Sequence, residues 1–399
     1  MLHENRSAIA LLLCASALPA QQWTEAAIVE KFLDQNPISR EARARVAIAE
    51  AEVRTRSAYS NPTISFSHEG AGRTDFYQAS QALPITGRLP FIRQAGLSQG
   101  KALEAEGVFS LWQAKCSLRL SFYRMLATQL KLTALKDSVT ELDRAIRILQ
   151  DREREGEGSK LDRLRAQRER HEIDAEISLL DSMLASERGN LLAYLPSQEN
   201  IEELSGDLGV RTASFDTAEL LRKTLATRGD IQAERQRIEQ YRLEQRAADR
   251  LRFPEPVLNA GLKRAQLGLP SVANGPVIGL SMAIPIFQKG KSEVSRFAAE
   301  QERASARLDI LMRRTQATLD AAARVFNIRK SALEKYPSSG REIVDIATIA
   351  YQEGETGILQ LLDAYRVERQ SRLRRIDLEA ATREAWLTLE SVVGEELPR

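Results

Sequence analysis

Two hydrophobic patterns alternate along this chain, and they follow the same order in each half. In the first pattern, apolar residues recur every three or four positions, as on one face of an amphipathic helix. The longest such run covers about residues 93–154 and contains no proline. In the second pattern, apolar and polar residues alternate singly, which is typical of a half-exposed β-strand. The chain is therefore predicted to form long helices joined to short strand hairpins.

Each half begins with a short helix and a longer helix, which end at proline or glycine. A strand hairpin follows and closes with a Pro-Ile step, after which glycine and basic residues occur. A long helix, a glycine-containing tip and a return helix complete the half. The predicted segments are helices 24–35 and 38–59, a hairpin at about 62–85, a long helix 93–154 and a return helix 161–195, and then helices 217–227 and 231–251, a hairpin at about 256–286, a long helical pattern 292–351 interrupted near Pro337, and a return helix 359–393.

The two tips are the most similar parts of the halves. Residues 156–168 and 354–366 share Gly-Glu, two leucines three positions apart, an alanine and an arginine, at a separation of 198 residues. Similarity at a constant separation indicates an internal duplication. The predicted divisions are a leader at 1–20, a first repeat at 21–210 with its tip at about 155–160, and a second repeat at 211–399 with its tip at about 353–358.

The amino terminus has the pattern of a signal peptide. An apolar run from Ala8 to Leu18 precedes small residues, which predicts cleavage near residue 20 and export. The run is shorter than the roughly 20 residues of a spanning helix, and an uncleaved anchor stays an alternative. Lipidation of Cys14 is also left open, although Leu13 is larger than the residue that lipoprotein processing prefers. Cys116 then has no disulfide partner and is predicted to fill a small buried space.

The strand alternation places apolar side chains on one face and mostly small or polar ones on the other. Strands of about 8–11 residues with this pattern match the span of a membrane β-barrel. Four strands cannot close a barrel, and their edges would be unsatisfied in lipid, so three chains sharing twelve strands are the simplest closure. A soluble sheet packed on helices is the alternative. The predicted lipid-facing residues are Leu258, Leu262, Ile278, Leu280, Met282 and Ile284.

Composition argues against several functional classes. The chain has 57 basic and 55 acidic residues, interleaved along the helices, so nothing indicates nucleic-acid binding. With three histidines, scattered methionines and no phosphate loop, nucleophile elbow or paired-cysteine motif, no metal site, cofactor or catalytic centre is predicted.

The duplicated order of elements, with Gly-Glu-x-x-x-Leu-x-x-Leu-x-Ala-x-Arg at each tip, resembles the TolC family of outer-membrane efflux channels, and its composition resembles the heavy-metal branch. The resemblance implies a mainly α fold with a small membrane β portion. Three copies would form a twelve-stranded barrel in the outer membrane and a helical barrel across the periplasm. This passive duct would dock a periplasmic adaptor and an inner-membrane pump of the resistance-nodulation-division type, and it would export drugs, metal ions or other small solutes.

The resemblance also implies roles for the tips and the channel entrance. Asp363 matches a family aspartate that rings the constriction, and Gln360 stands where a second aspartate would be. Asp162 and Tyr351 match a pair that holds the entrance closed, and Thr356 replaces an arginine that supports this closure. The predicted adaptor-docking residues are Gly156, Gly158, Leu161, Leu164, Gly354, Gly357, Leu359 and Leu362.

Two simpler interpretations remain at this stage. The tip glycines could be helix caps and the leucines ordinary core, with Asp363 in a solvated row. The whole chain could instead be a periplasmic coiled-coil scaffold without channel activity.

Overall fold

A computed structural model describes residues 23–34, 36–70, 73–196, 199, 201–210, 215–268, 271–337 and 340–398. The predicted signal peptide and Cys14 lie outside the described residues. The prediction of a mainly helical fold with a small antiparallel sheet is confirmed. The elements of the first half are α1 Glu25–Asp34, α2 Pro37–Arg56, β1 Thr63–Glu69, β2 Thr74–Ala82, α3 Arg88–Arg154 and α4 Lys160–Leu192. Those of the second half are α5 Thr217–Thr227, α6 Gly229–Asp249, a 3-10 turn Arg250–Arg252, β3 Pro256–Gly268, β4 Ser271–Met282, α7 Lys291–Lys335, α8 Arg341–Gln352 and α9 Ile358–Val393.

Local signals explain where several helices begin and end. Asn36 caps α2, its side chain accepting a hydrogen bond from the Ile38 amide at 2.8 Å, and proline occupies the first helical position. The α3 helix begins five residues earlier than predicted, because Pro90 is tolerated within a first turn. Near Pro337 the second long pattern breaks, as predicted, and α7 and α8 are separate helices.

The α3 helix sets the length of the molecule. Its 67 residues correspond to about 100 Å at 1.5 Å per residue. Among the described residues, none of the helices combines the length and the apolar character needed to cross a bilayer.

The sheet joins the two halves of the chain. Its order is β1-β2-β3-β4, and all three pairings are antiparallel. β2 from the first half and β3 from the second half pair from Thr74 opposite Ala265 to Ala82 opposite Val257. The outer edges of β1 and β4 have no strand partner in the described residues, and no described helix packs along the sheet. The expectation of a soluble sheet buried under helices therefore does not hold.

The core lies between the helices. One cluster surrounds Phe122 and another surrounds Trp386 and Phe326, while a third follows α3, α4 and α9 toward the tips. Cys116 is buried, and burial raises the pKa of its thiol to about 12.

A buried ionic network ties the chain ends to this core. Arg119 is 2% exposed, and its guanidinium lies 2.5 Å from one carboxylate oxygen each of Glu25 and Glu390. Tyr123 donates its hydroxyl hydrogen to Glu25 at 2.6 Å. Burial raises the pKa of Glu390, while Arg119 beside it favours the charged form. The network holds α1 and α9 against α3.

Candidate functional site

The first tip is a tight turn between α3 and α4. Gly156 has a φ of +81°, a left-handed conformation that favours glycine. The Glu157 amide donates to the Arg152 carbonyl at 2.9 Å, and the Gly156 amide donates to the Glu153 carbonyl at 3.2 Å, so the turn ends α3 as a Schellman motif does. Gly158 allows close approach of the backbone to α3, since a Cβ there would lie 3.0 Å from the Arg152 Cβ.

The second tip, between α8 and α9, repeats this geometry 198 residues later. Gly354 has a φ of +77°. The Glu355 amide donates to the Ala350 carbonyl at 2.9 Å, and the Gly354 amide donates to the Tyr351 carbonyl at 3.2 Å. Gly357 has an ordinary extended backbone with a φ of −86°. One glycine at each tip is thus required by positive φ.

Three of the four tip leucines are exposed. The exposed fractions are 54% for Leu161, 47% for Leu164 and 55% for Leu359, against 6% for Leu362. Leu362 joins the core cluster nearest the tips, and the interpretation as ordinary core applies to it. The other three side chains present apolar area that a partner could cover.

The two tips are stabilised differently. At the first tip, the Arg163 guanidinium lies 2.5 Å from the Glu153 carboxylate and lowers its pKa. The corresponding positions of the second tip are Leu361 and Tyr351, 198 residues later. Leu361 is buried and Tyr351 packs on the same cluster. An ion pair therefore stabilises the first tip, and apolar packing stabilises the second.

The predicted entrance residues lie near the tips, but Asp162 and Tyr351 do not bind each other within the described chain. Asp162 lies 3.8 Å from Arg165 on its own helix. The Tyr351 ring instead faces Arg152 of α3, whose guanidinium carbon lies 5.0 Å from the ring centroid. Sequence reasoning missed Arg152, because nothing local shows that α3 ends beside α8. Gln360 and Asp363 are exposed in the first two turns of α9.

A second connection between the hairpins lies a few turns above the tips. Glu169 on α4 accepts hydrogen bonds from Arg366 at 2.8 Å and from Arg369 at 3.0 Å, both on α9. The hydrogen bond from Arg366 lowers the pKa of Glu169, against the opposing effect of burial. On the same α9 face, Arg372 binds Asp137 of α3 at 2.8 Å. The sequence contained a signal for these contacts, since Arg366, Arg369 and Arg372 recur every third residue and therefore lie on neighbouring positions of one helix.

The α8 helix is less tightly held than its neighbours. A cavity of about 310 Å³ separates it from α3, with Ile148, Thr348 and Tyr365 among its lining residues. Apart from the Arg152–Tyr351 contact and a salt bridge of 3.7 Å from Arg341 to Glu141 of α3, α8 is attached mainly through α9. In the part of the chain that the structure describes, no three His, Cys, Asp or Glu side chains are grouped as metal ligands.

The sheet carries the remaining predicted residues on one face. Leu258 is opposite Leu280, and Leu262 is opposite Tyr77. Met282 is the last residue of β4. The apolar side chains of this face are 43% to 84% exposed: Ile64, Phe66, Tyr77, Leu258, Leu262, Ile278, Leu280 and Met282. Ile284, predicted in the same strand, is exposed but follows the end of β4, because the strand stops short of Pro285.

The opposite face of the sheet is mostly small or polar, apart from Phe76, Val257 and Val277. Ser80 donates to the Asn259 side-chain oxygen at 2.7 Å, and the Asn259 amide donates to the Ser281 hydroxyl at 3.2 Å. These hydrogen bonds link β2, β3 and β4. A sheet with one apolar face and one mostly polar face is typical of the wall of a membrane β-barrel.

Comparisons with known proteins agree with this geometry. The family model described as outer membrane efflux protein matches residues 220–395. The match covers 176 of the 399 residues, so the second half of the chain is similar to this outer membrane efflux family. A curated relative is the cobalt-zinc-cadmium resistance protein CzcC of Cupriavidus metallidurans, 22% identical over 281 residues, which cover 69% of this chain and 66% of CzcC. The matched part is thus just under two thirds of CzcC.

Solved outer-membrane proteins share the fold of this chain. The open-state MtrE outer membrane channel of Neisseria gonorrhoeae superposes with a TM-score of 0.76 at 16% identity, over 93% of this chain and 89% of MtrE. The outer membrane protein VceC of Vibrio cholerae gives 0.74 at 17% identity, over 94% and 97%. These comparisons support the predicted resemblance to outer membrane efflux proteins, the outer-membrane location and the large periplasmic helical part. They also agree with the prediction of a channel rather than an enzyme.

Proposed function

We propose that three copies of this chain form a passive exit duct of a tripartite efflux system. The proposal rests on the sheet, because its apolar face is exposed while its β1 and β4 edges have no strand partner among the described residues. Unpaired strand edges are not tolerated in a bilayer, and neighbouring copies can supply them. Twelve strands lie within the range of outer-membrane barrels.

The helices extend the duct away from the membrane. The sheet lies at one end of α3, and the tips lie at the other, about 100 Å away. Exposed Leu161, Leu164 and Leu359 at that end form the surface on which a periplasmic adaptor would dock. The pump beneath supplies the energy, since no catalytic group is predicted in this chain.

The proposed cargo is divalent metal ions. The relative CzcC is named for resistance to cobalt, zinc and cadmium. Asp363 is exposed near the second tip, and three symmetry-related copies would place negative charge around the entrance. A ring of carboxylates attracts cations and is the arrangement that cation pores use.

The closed entrance is proposed to depend on contacts between the two hairpins. Arg152 and Tyr351 join α3 to α8, and Glu169 with Arg366 joins α4 to α9. Because α8 borders a cavity on its α3 side, it can move once these contacts break. Asp162 would act across the boundary between neighbouring copies.

Membrane insertion tests the duct against the scaffold alternative. The variant L258N/I278N places two amides on the apolar face, and the control V257N/V277N places two amides on the opposite face. We expect the apolar-face variant to be lost from outer-membrane fractions and to give no conductance in a planar bilayer. The control should still fractionate with the outer membrane and conduct. Equal membrane fractionation of both variants, with no conductance from the wild type, would favour a scaffold.

A further inference from the structure

Basic residues collect where the sheet meets the helices. The segments 84–93, 246–256 and 285–296 contain eight Lys or Arg residues and three Asp or Glu residues. The chain as a whole is nearly balanced, so this is a local excess of positive charge. We define the basic collar as Arg88, Arg246, Arg250, Arg252, Lys289 and Lys291.

The three segments are neighbours in space. The Leu83 amide donates to the Pro256 carbonyl at 2.8 Å, and Thr86 donates to the Glu255 carboxylate at 2.9 Å. A Cβ on Gly290 would lie 2.6 Å from the Ala248 carbonyl oxygen. The basic collar therefore surrounds one end of the sheet, opposite the hairpin turns.

Part of this charge is not neutralised within the chain. Arg246 and Arg250 border an open cavity of about 420 Å³, together with Phe91, Val294 and one carboxylate, that of Asp249, which pairs with Arg252. In the described ranges no salt bridge joins Arg246 or Arg250 to a carboxylate. Arg252 lies 3.3 Å from Asp249, in a pair that is about half exposed. The two arginines beside the cavity can thus accept an anion.

Exposed apolar side chains continue from the lipid-type face of the sheet into the basic collar. Phe287 is 96% exposed, Phe253 is 43% exposed and Ile286 is 63% exposed. The Arg252 guanidinium lies 4.9 Å from the Phe253 ring centroid, and that of Arg250 lies 5.6 Å from the Phe91 ring centroid. Aromatic and basic residues next to an apolar band are typical of a membrane–water interface.

We propose that the basic collar binds the phosphate groups of acidic phospholipids in the inner leaflet of the outer membrane. This rests on the proposed function, which places the sheet in that membrane with its helical end toward the periplasm. Arg246 and Arg250 would contact the phosphate, since guanidinium groups match phosphate oxygens in geometry and charge. Phe253 and Phe287 would lie beside the upper acyl chains. The adjoining apolar face indicates a lipid rather than free phosphate.

Lipid binding to the full-length purified protein tests the proposal. Native mass spectrometry would compare phosphatidylglycerol with phosphatidylcholine, and inorganic phosphate would be added as a competitor. The test variant is R246Q/R250Q/R252Q, and K289Q/K291Q probes the other side of the basic collar. The control R307Q/R313Q/R314Q removes the same charge from exposed positions on α7, about 20–35 Å farther from the sheet.

We expect the wild type and the α7 control to prefer phosphatidylglycerol at least tenfold, and the triple collar variant to lose that preference. The K289Q/K291Q variant should reduce it by a smaller factor, which covers the case that the triple variant does not fold. No preference in the wild type, an equal loss in the α7 control, or full displacement by inorganic phosphate would overturn the proposal. Conductance in bilayers of pure phosphatidylcholine tests the channel function separately, because the channel can conduct there whether or not the basic collar binds acidic lipid.

Discussion

The contact between Arg152 and Tyr351 makes the most discriminating prediction about the entrance. The guanidinium carbon lies 5.0 Å from the ring centroid, so the attraction needs the aromatic ring and the positive charge. The family resemblance implies instead that the Tyr351 hydroxyl pairs with Asp162. Removing the charge, the ring and the hydroxyl separately distinguishes these two arrangements.

The magnitude follows from three copies acting together. One exposed cation–π contact contributes about 0.5–1 kcal/mol. If all three must break for the entrance to open, the closed state is favoured by about 1.5–3 kcal/mol. This corresponds to a change of about 10-fold to 100-fold in the ratio of open to closed channels.

The assay is single-channel conductance of the purified protein in a planar bilayer. We expect Arg152→Gln and Tyr351→Ala to raise the ratio of open to closed channels by that factor. Tyr351→Phe should leave this ratio near the wild-type value because the ring remains. Arg154→Gln is the matched control, since Arg154 ends the same helix but is exposed and pairs locally with Asp151. An increase in Tyr351→Phe equal to that in Tyr351→Ala would assign the closure to the hydroxyl and refute the cation–π explanation.

Three further predictions concern stability. Gly156→Ala places a side chain at positive φ and should cost about 1–2 kcal/mol in tip stability, measured by hydrogen exchange of the tip amides, whereas Gly189→Ala within α4 should be neutral or slightly stabilising. Because the folded-state pKa of Glu169 is lowered, its contribution is present near neutral pH and is lost as pH falls below about 4.5 through the folded value. The distance between fluorescent labels placed on α4 and α9 should increase over that pH range, and Glu169→Gln should remove the dependence. Arg119→Met removes the cationic partner of the buried Glu390 carboxylate and should lower the free energy of unfolding by about 3–5 kcal/mol, while Arg124→Met at an exposed pair should cost less than about 1 kcal/mol, measured by thermal or denaturant unfolding.

Much of the local structure followed from the chain itself. Helical spacing, strand alternation and helix-ending prolines depend on residues a few positions apart, so the elements were predicted within a few residues. The break near Pro337 and the turns at Gly156 and Gly354 belong to this group. The end of β4 was misplaced, because alternation continues to Ile284 although the strand stops at Met282.

The candidate sites were predicted less completely. The tip residues were found because the duplication makes them visible, and the apolar face of the sheet was found because alternation has a period of two. Arg152 and Glu169 were missed as contacts between hairpins, since each binds a residue about 200 positions away. The sequence also did not show that Leu164 is exposed while its counterpart Leu362 is buried, because the tip motif is the same in both copies.

By itself, the sequence determined the kinds of element, their order, the duplication and the amphipathic faces, because these arise from short-range sterics and hydrophobic periodicity. Only the tertiary structure decided that β2 pairs with β3, which hairpin contacts close the tips, and where basic residues from three segments meet. Those features depend on how helices about 100 Å long pack, and that packing joins residues that no local pattern relates.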